Sequence, residues 1–185
     1  MRFNDHSALK GLHAFLSPSQ YHWLNYDEDK LAFRYTTAMA AQRGTELHEF
    51  ASEAIRLGIK LPRTTQTLNM YVNDAIGYRM TPEQPLVYSE NCFGTADAIT
   101  LTSRKLLRIH DLKTGTTKTS ELQLYVYAAI FCLEYGYKPF EIDYDLRIYQ
   151  NDEVRKYVPT PEEIVHVIDR IVTFDKLIKK LKAEQ

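Results

Sequence analysis

The spacing of apolar and polar residues changes period along the chain, separating a helical first third from a sheet-forming middle and a helical end. Residues 7–16 form a short amphipathic stretch. Ser17-Pro18-Ser19 follows, where Ser17 can cap a helix and Pro18 can occupy its first position. A longer helix is predicted over 30–57. Its stripe of Leu47, Phe50, Ala51, Ala54 and Gly58 recurs at i, i+3, i+4 spacing, and Gly58 gives a stop ahead of Pro62. Another helix is predicted over 65–79.

The middle alternates instead. Segments 86–92, 94–101 and 105–113 are β-rich, with turn residues at Asn91 and Thr102-Ser103-Arg104, and predict a three-strand antiparallel meander. Ser120 opens a helix that runs to Tyr135 and ends at Gly136. Segments 140–149 and 154–158 predict a strand pair turning at Asn151-Asp152. Thr160-Pro161-Glu162-Glu163 is a capping box with Pro at the first helical position. It starts a last helix, over 160–183, that carries Lys176, Lys179, Lys180 and Lys182. This order predicts an α/β (α+β) fold in one domain, with a central mixed sheet flanked by helices. A mainly helical part over 1–80 precedes the sheet core over 86–158.

Composition narrows the function. No apolar run has membrane-spanning length and MRFNDHSALKG lacks a signal-peptide core, so a cytoplasmic protein with no membrane partner is expected. Cys92 and Cys132 are far apart and cannot alone form a four-thiolate zinc or iron–sulfur site; both are expected as buried free thiols. The net charge of −1, from 23 basic and 24 acidic residues, argues against binding nucleic acid by bulk charge. It leaves room for an enzyme that brings cations to its site. The 13 tyrosines suit either base stacking or ordinary packing.

Candidate chemistry centres on 108–115, Arg-Ile-His-Asp-Leu-Lys-Thr-Gly. In a strand, Asp111 and Lys113 project from one face, with Leu107 and Ile109 anchoring that face in the core. The preceding segment places Asp97, a poor strand former, on a face with Ile99 and Leu101. If the two strands pair through 102–104, Asp97 comes near Asp111, a hard-oxygen site for Mg²⁺ or Mn²⁺. A surface ion pair would explain Asp111 and Lys113 without any function. Upstream, His48 at the edge of the apolar stripe is either a core-margin histidine or a third ligand that tilts preference toward Mn²⁺. Downstream, Gln123 and Tyr127 share a helical face; Ser120-x-x-Gln123 is also a capping box, so Gln123 either closes the helix end or reaches Lys113. Thr114, Thr116, Thr117 and Lys118 form either a phosphate-binding loop at a helix start or a solvated one.

GTELH, FGTAD, DLK and QLYVY occur in the order and approximate spacing of the RecB-like branch of the PD-(D/E)XK nuclease superfamily, which the chain resembles over about 44–149. The resemblance implies a restriction-endonuclease-like core with a helical N-terminal extension. It implies that His48, Asp97, Asp111 and the main-chain carbonyl of Leu112 bind Mg²⁺ or Mn²⁺, that Lys113 orients or helps deprotonate the attacking water, and that Gln123 and Tyr127 position DNA or the lysine. Two cysteines instead of four set it apart from relatives holding an iron–sulfur cluster. Its size resembles a phage-type exonuclease, which implies DNA recombination or processing in a bacterial or phage-infected cell. Implied partners are DNA, a recombination protein such as a single-strand annealing protein, and further copies of the chain. An endonuclease of restriction or junction-resolving type and a non-catalytic nucleic-acid-binding subunit are the alternatives.

Overall fold

A computed structural model describes residues 5, 7–9 and 14–184. The chain divides into two compact units, residues 1–43 and 44–185. In the first, the predicted amphipathic piece is a single 3-10 turn at Ser7–Leu9, and residues 10–13 of that prediction lie outside the described residues. Pro18–Asn25 is a 3-10 helix preceded by Ser17. Ser17 does not cap it with its side chain, which bonds the Ser19 hydroxyl at 2.8 Å. Helix α1, Glu28–Leu57, begins in this unit, where Asp27 Oδ1 accepts the Lys30 N–H at 2.8 Å as an N-cap.

The second unit is an α/β structure: a five-stranded mixed sheet with helices on both faces. Its strands are β1 (Thr81–Ser89), β2 (Cys92–Leu101), β3 (Leu106–Leu112), β4 (Asp143–Gln150) and β5 (Glu153–Tyr157), side by side in that order. All neighbours are antiparallel except β3 and β4, which the crossover helix α3 (Leu122–Tyr135) makes parallel. Helices α2 (Thr67–Gly77) and α4 (Pro161–Ala183) complete the unit. The Thr160–Glu163 capping box forms as predicted. Asn151 and Asp152 both have positive φ, 53° and 57°, matching the twist of a two-residue hairpin between β4 and β5.

β1 starts five residues earlier than alternation predicts, at Thr81, and includes Pro82 and Pro85. Proline is tolerated there because β1 is an edge strand, pairing only with β2. On that edge the Val87 N–H is taken by Glu134 Oε2 at 2.8 Å. The helix predicted from Ser120 begins at Leu122, with Glu121 as N-cap. Cys132 is buried as expected, but Cys92, at the exposed start of β2, is only half-buried.

One sheet face packs Ile99, Leu107, Ile109 and Leu146 against α3 and α4 residues such as Leu124, Ala128 and Ile164. The other packs Ala98, Leu112 and Tyr149 against α2 and the end of α1, through Ala51, Ala54, Ile55, Val72 and Ala75. The buried stripe of α1 is therefore turned from the predicted one. Phe50 is exposed, whereas Gly44, Ala51, Ser52, Ala54 and Ile55 are buried, with His48 between them. Beneath β3, His110 is fully buried. Burial and then the Arg147 charge hold its pKa down at about 3, so it is neutral. Tyr149 donates its hydroxyl proton to Asp74 Oδ2 at 2.7 Å, leaving its oxygen to accept from His110 Nδ1, 3.2 Å away.

Candidate active site

β2 and β3 pair from Leu101↔Leu107 to Ala98↔His110 and then part. The next positions in that register are Asp97 and Asp111. Instead of completing the ladder, the Leu112 N–H donates to Asp97 Oδ2 at 2.7 Å. β3 remains fixed on its other side, where the Lys113 N–H donates to the Tyr149 carbonyl at 2.9 Å. The sheet thus opens between two strands, and carboxylates line the gap.

Both carboxylates are withdrawn from water. Burial, and next the neighbouring Asp111 charge, push the Asp97 pKa up to about 6, against the opposing pull of His48 and the Leu112 N–H. Asp111 is 2% exposed, and burial raises its pKa as well, against the pull of Lys113. Lys113 Nζ donates to Asp111 Oδ1 at 3.0 Å. Oδ2 is 2.9 Å from the same ammonium but receives no aligned hydrogen bond, so a buried carboxylate oxygen is left without a donor. An anionic oxygen in that position is stabilised by a cation.

Lys113 is held from its other side too. It donates to Gln123 Oε1 at 2.8 Å, Gln123 Nε2 lies 3.4 Å from the Tyr127 hydroxyl, and Tyr127 donates to the Thr95 carbonyl at 2.6 Å. This chain decides between the two readings of Gln123: its side chain grips the lysine and does not close the helix. Two motif glycines permit these approaches. A Cβ on Gly94 would sit 3.1 Å from Cε1 of the Tyr127 ring, and one on buried Gly44 would sit 2.8 Å from Thr114 Oγ1.

From α1, His48 Nδ1 stands 3.6 Å from Asp97 Oδ2. A residue that the sequence did not single out joins them. Glu83 lies in β1 between the pairs Pro82↔Ala98 and Gln84↔Ala96, opposite Asp97. Ligand atoms of His48, Glu83 and Asp97 all fall within 4.8 Å of one another, and Asp111 stands outside that group. Ligands bonded to one small divalent ion are at most about 4.2 Å apart, twice a bond of about 2.1 Å, so these three groups lie close to the spacing that one such ion would require. Two carboxylates and an imidazole suit Mn²⁺ or Mg²⁺, with the nitrogen favouring Mn²⁺. Glu83 carried only a weak signal: a charged residue in Thr-Pro-Glu-Gln-Pro, which reads as a turn.

Thr114, Thr116, Thr117 and Lys118 are exposed on the loop after β3, which precedes α3 and is separated from its first turn by Glu121. Its backbone is pinned from below. Gln150 Nε2 donates to the Gly115 and Thr117 carbonyls at 2.6 and 2.8 Å, and Asn151 Nδ2 to the Thr116 carbonyl at 3.0 Å. No described helix is long and apolar enough to cross a membrane. No protein-family model and no curated protein matches the chain.

Proposed function

We propose that the chain is a metal-dependent DNA exonuclease of the RecB-like kind, hydrolysing phosphodiester bonds with Mg²⁺ or Mn²⁺. The observation that carries this reading is the gap between β2 and β3, where Asp97 and Asp111 meet Lys113 and His48 approaches from α1. A surface ion pair does not account for it, because Asp111 is buried with an unsatisfied oxygen and Lys113 is gripped by a second residue.

His48, Asp97, Asp111 and the Leu112 carbonyl would hold the metal, which supplies charge neutralisation at the phosphate and a water of lowered pKa. The protein's own task is positioning. Asp111 and Gln123 fix the Lys113 ammonium, so positive charge stands where negative charge develops on the phosphoryl oxygens. Tyr127, anchored on Thr95, keeps Gln123 in place. The pinned loop presents Thr114, Thr116, Thr117 and Lys118 to the DNA backbone.

Purified protein with Mn²⁺ should degrade linear DNA and spare closed circles. Asp111→Ala and Lys113→Ala should each lower the rate on the order of 10²-fold or more while keeping the folded far-UV spectrum. Activity persisting in both variants overturns the site; nicking of closed circles replaces the exonuclease with an endonuclease.

A further inference from the structure

We infer that the cleft between the α1–α2 loop and β5 is a second phosphate position for a nucleic-acid strand, with Lys60 and Arg63 as its cations. The inference rests on the nuclease reading above and adds to it a contact with the strand away from the reacting bond.

The cations of this cleft have no partners in the fold. Lys60, Arg63, Thr64, Asn73 and Asp74 line an open cavity of about 590 Å³, with Val154 of β5 on its far wall. Neither Lys60 nor Arg63 makes an ion pair or hydrogen bond with a described residue. Asp74 is the one acid among the lining residues, and its Oδ2 is already committed. It accepts from the Tyr149 hydroxyl at 2.7 Å and stands 3.4 Å from the Arg147 guanidinium. The cleft therefore keeps a positive excess, in a chain whose net charge is −1.

The loop that carries these cations is fixed in shape. Gly58, with a φ of 66°, turns the chain out of α1, and the Ile59 N–H bonds back to the Ala54 carbonyl at 2.9 Å. Asn73 clamps both backbone groups of Leu61, donating to its carbonyl and accepting from its N–H, each at 2.9 Å. Beyond Pro62 and Arg63, Thr64 Oγ1 accepts from Asn69 Nδ2 at 2.9 Å and from the Gln66 N–H at 3.2 Å. Arg63 thus stands between two clamps. Because the Thr64 oxygen accepts twice, its own proton is left for an outside acceptor. A loop shaped in advance adds little ordering cost to binding.

Position in the fold identifies the ligand as a strand instead of a lone anion. A smaller cleft of about 210 Å³ is lined by Lys113, Thr114, Asn151, Thr67 and Leu68, so the start of α2 adjoins the proposed reacting centre. The Lys60–Arg63 cleft is lined by Thr64, Thr65 and Met70, the residues on either side of that start. A phosphodiester chain lying at Lys113 is led over the first turn of α2 into the second cleft. The turn itself is closed to anions, because Asp152 Oδ1 already accepts the Thr67 N–H at 2.8 Å and its hydroxyl at 3.0 Å. The cations beyond it are what draw the strand across. Glu83, Asp97 and Asp111 repel phosphate at the reacting centre, and a positive position further along the strand offsets that repulsion.

The test is titration of a fluorescent single-stranded oligonucleotide of about 20 nucleotides into the full chain, in Ca²⁺ and over a range of KCl concentrations. Lys60→Gln combined with Arg63→Gln should weaken binding by at least about fivefold at low salt. It should also flatten the plot of log affinity against log salt by about 1.4, the value for two phosphates on a single strand. In Mn²⁺ the double variant should cleave the same oligonucleotide with a raised KM and a kcat within about twofold of wild type. Both side chains are exposed, so the variant should melt with the wild type. An affinity within about twofold of wild type, or a loss of affinity with the slope unaltered, overturns the inference. Excess deoxyadenosine monophosphate should leave the difference between wild type and variant in place; if it erases the difference, the cleft takes single nucleotides and the strand path is wrong. Wild-type protein that binds the oligonucleotide but cleaves nothing in Mn²⁺ overturns the nuclease reading and leaves the cleft as a strand contact.

Discussion

At Asp97 two costs coincide: desolvation of a carboxylate and repulsion from Asp111, which together raise its pKa to about 6. The unfolded value is roughly 3.9, so the fold disfavours the ionised form. Stability conferred by the protonated group is complete below about pH 4 and is lost as pH rises through about 6, a loss on the order of 2–3 kcal/mol. The metal-free protein should therefore melt at lower temperature at pH 7 than at pH 5, and the gain in Tm on adding Mn²⁺ should grow across that interval. Asp97→Asn should flatten this profile in EDTA and abolish the Mn²⁺ gain; a pH-independent metal effect would contradict the assignment. Gly94 poses a positional problem of the same small scale. A methyl there meets the Tyr127 ring at 3.1 Å, so the ring must shift by a few tenths of an ångström, loosening Gln123 and then Lys113. Gly94→Ala should lower kcat by about tenfold with little change in KM or Tm, and Tyr127→Phe should do likewise. A fall in Tm that tracks the lost activity would instead mark a packing defect.

Elements show what patterning can and cannot predict. The β1–β2–β3 meander, the β4–β5 hairpin, the β3 face with Leu107, Ile109 and Asp111, and the Thr160 capping box were legible because each depends on residues near one another in sequence, whereas the parallel β3–β4 pairing that joins the two groups was not. Glu83 was not, because its role depends on register with β2, and its flanking prolines suggest a turn unless the strand is known to be an edge. Phe50 was assigned to the core on helical spacing, yet the small residues Gly44, Ala51 and Ala54 define the buried stripe, since α1 must come close enough for His48 to reach Asp97. Helix α4 offers a further case. Its buried Asp175 accepts from Ser89 Oγ at 2.6 Å and Asn91 Nδ2 at 2.9 Å, and pairs with Lys179 at 2.7 Å, fastening the helix to the β1–β2 turn. Lys179, then Ser89 and Asn91, hold its pKa down at about 2. Stability from this group is present above about pH 4 and lost as pH falls through about 2. Asp175→Asn should lower Tm at pH 7, and the difference from wild type should vanish near pH 2; an undiminished difference there would show that the charge is not what fastens the turn.

For the molecule as a whole, charge sets the conditions under which it meets DNA. A net charge of −1 gives no general attraction to a polyanion, and the proposed site concentrates Glu83, Asp97 and Asp111 where the scissile phosphate must approach. Lys113 cannot offset three acids, and it is already committed to Asp111 and Gln123. Binding should therefore be gated by cations: the ions that carry out hydrolysis must also remove the repulsion that keeps DNA away. Ca²⁺, which occupies oxygen-rich sites but supports such hydrolysis poorly, separates the two roles. Anisotropy of a fluorescent oligonucleotide should report an affinity at least about tenfold greater in Ca²⁺ than in EDTA at equal ionic strength. Asp111→Asn should narrow that gap from both ends, binding more tightly in EDTA because one repelling charge is gone and less tightly in Ca²⁺ because one ligand is gone. Equal affinities with and without Ca²⁺ would mean that DNA is held by a surface away from the β2–β3 gap, and that the exposed loop at Thr114–Lys118 does not lie on its path.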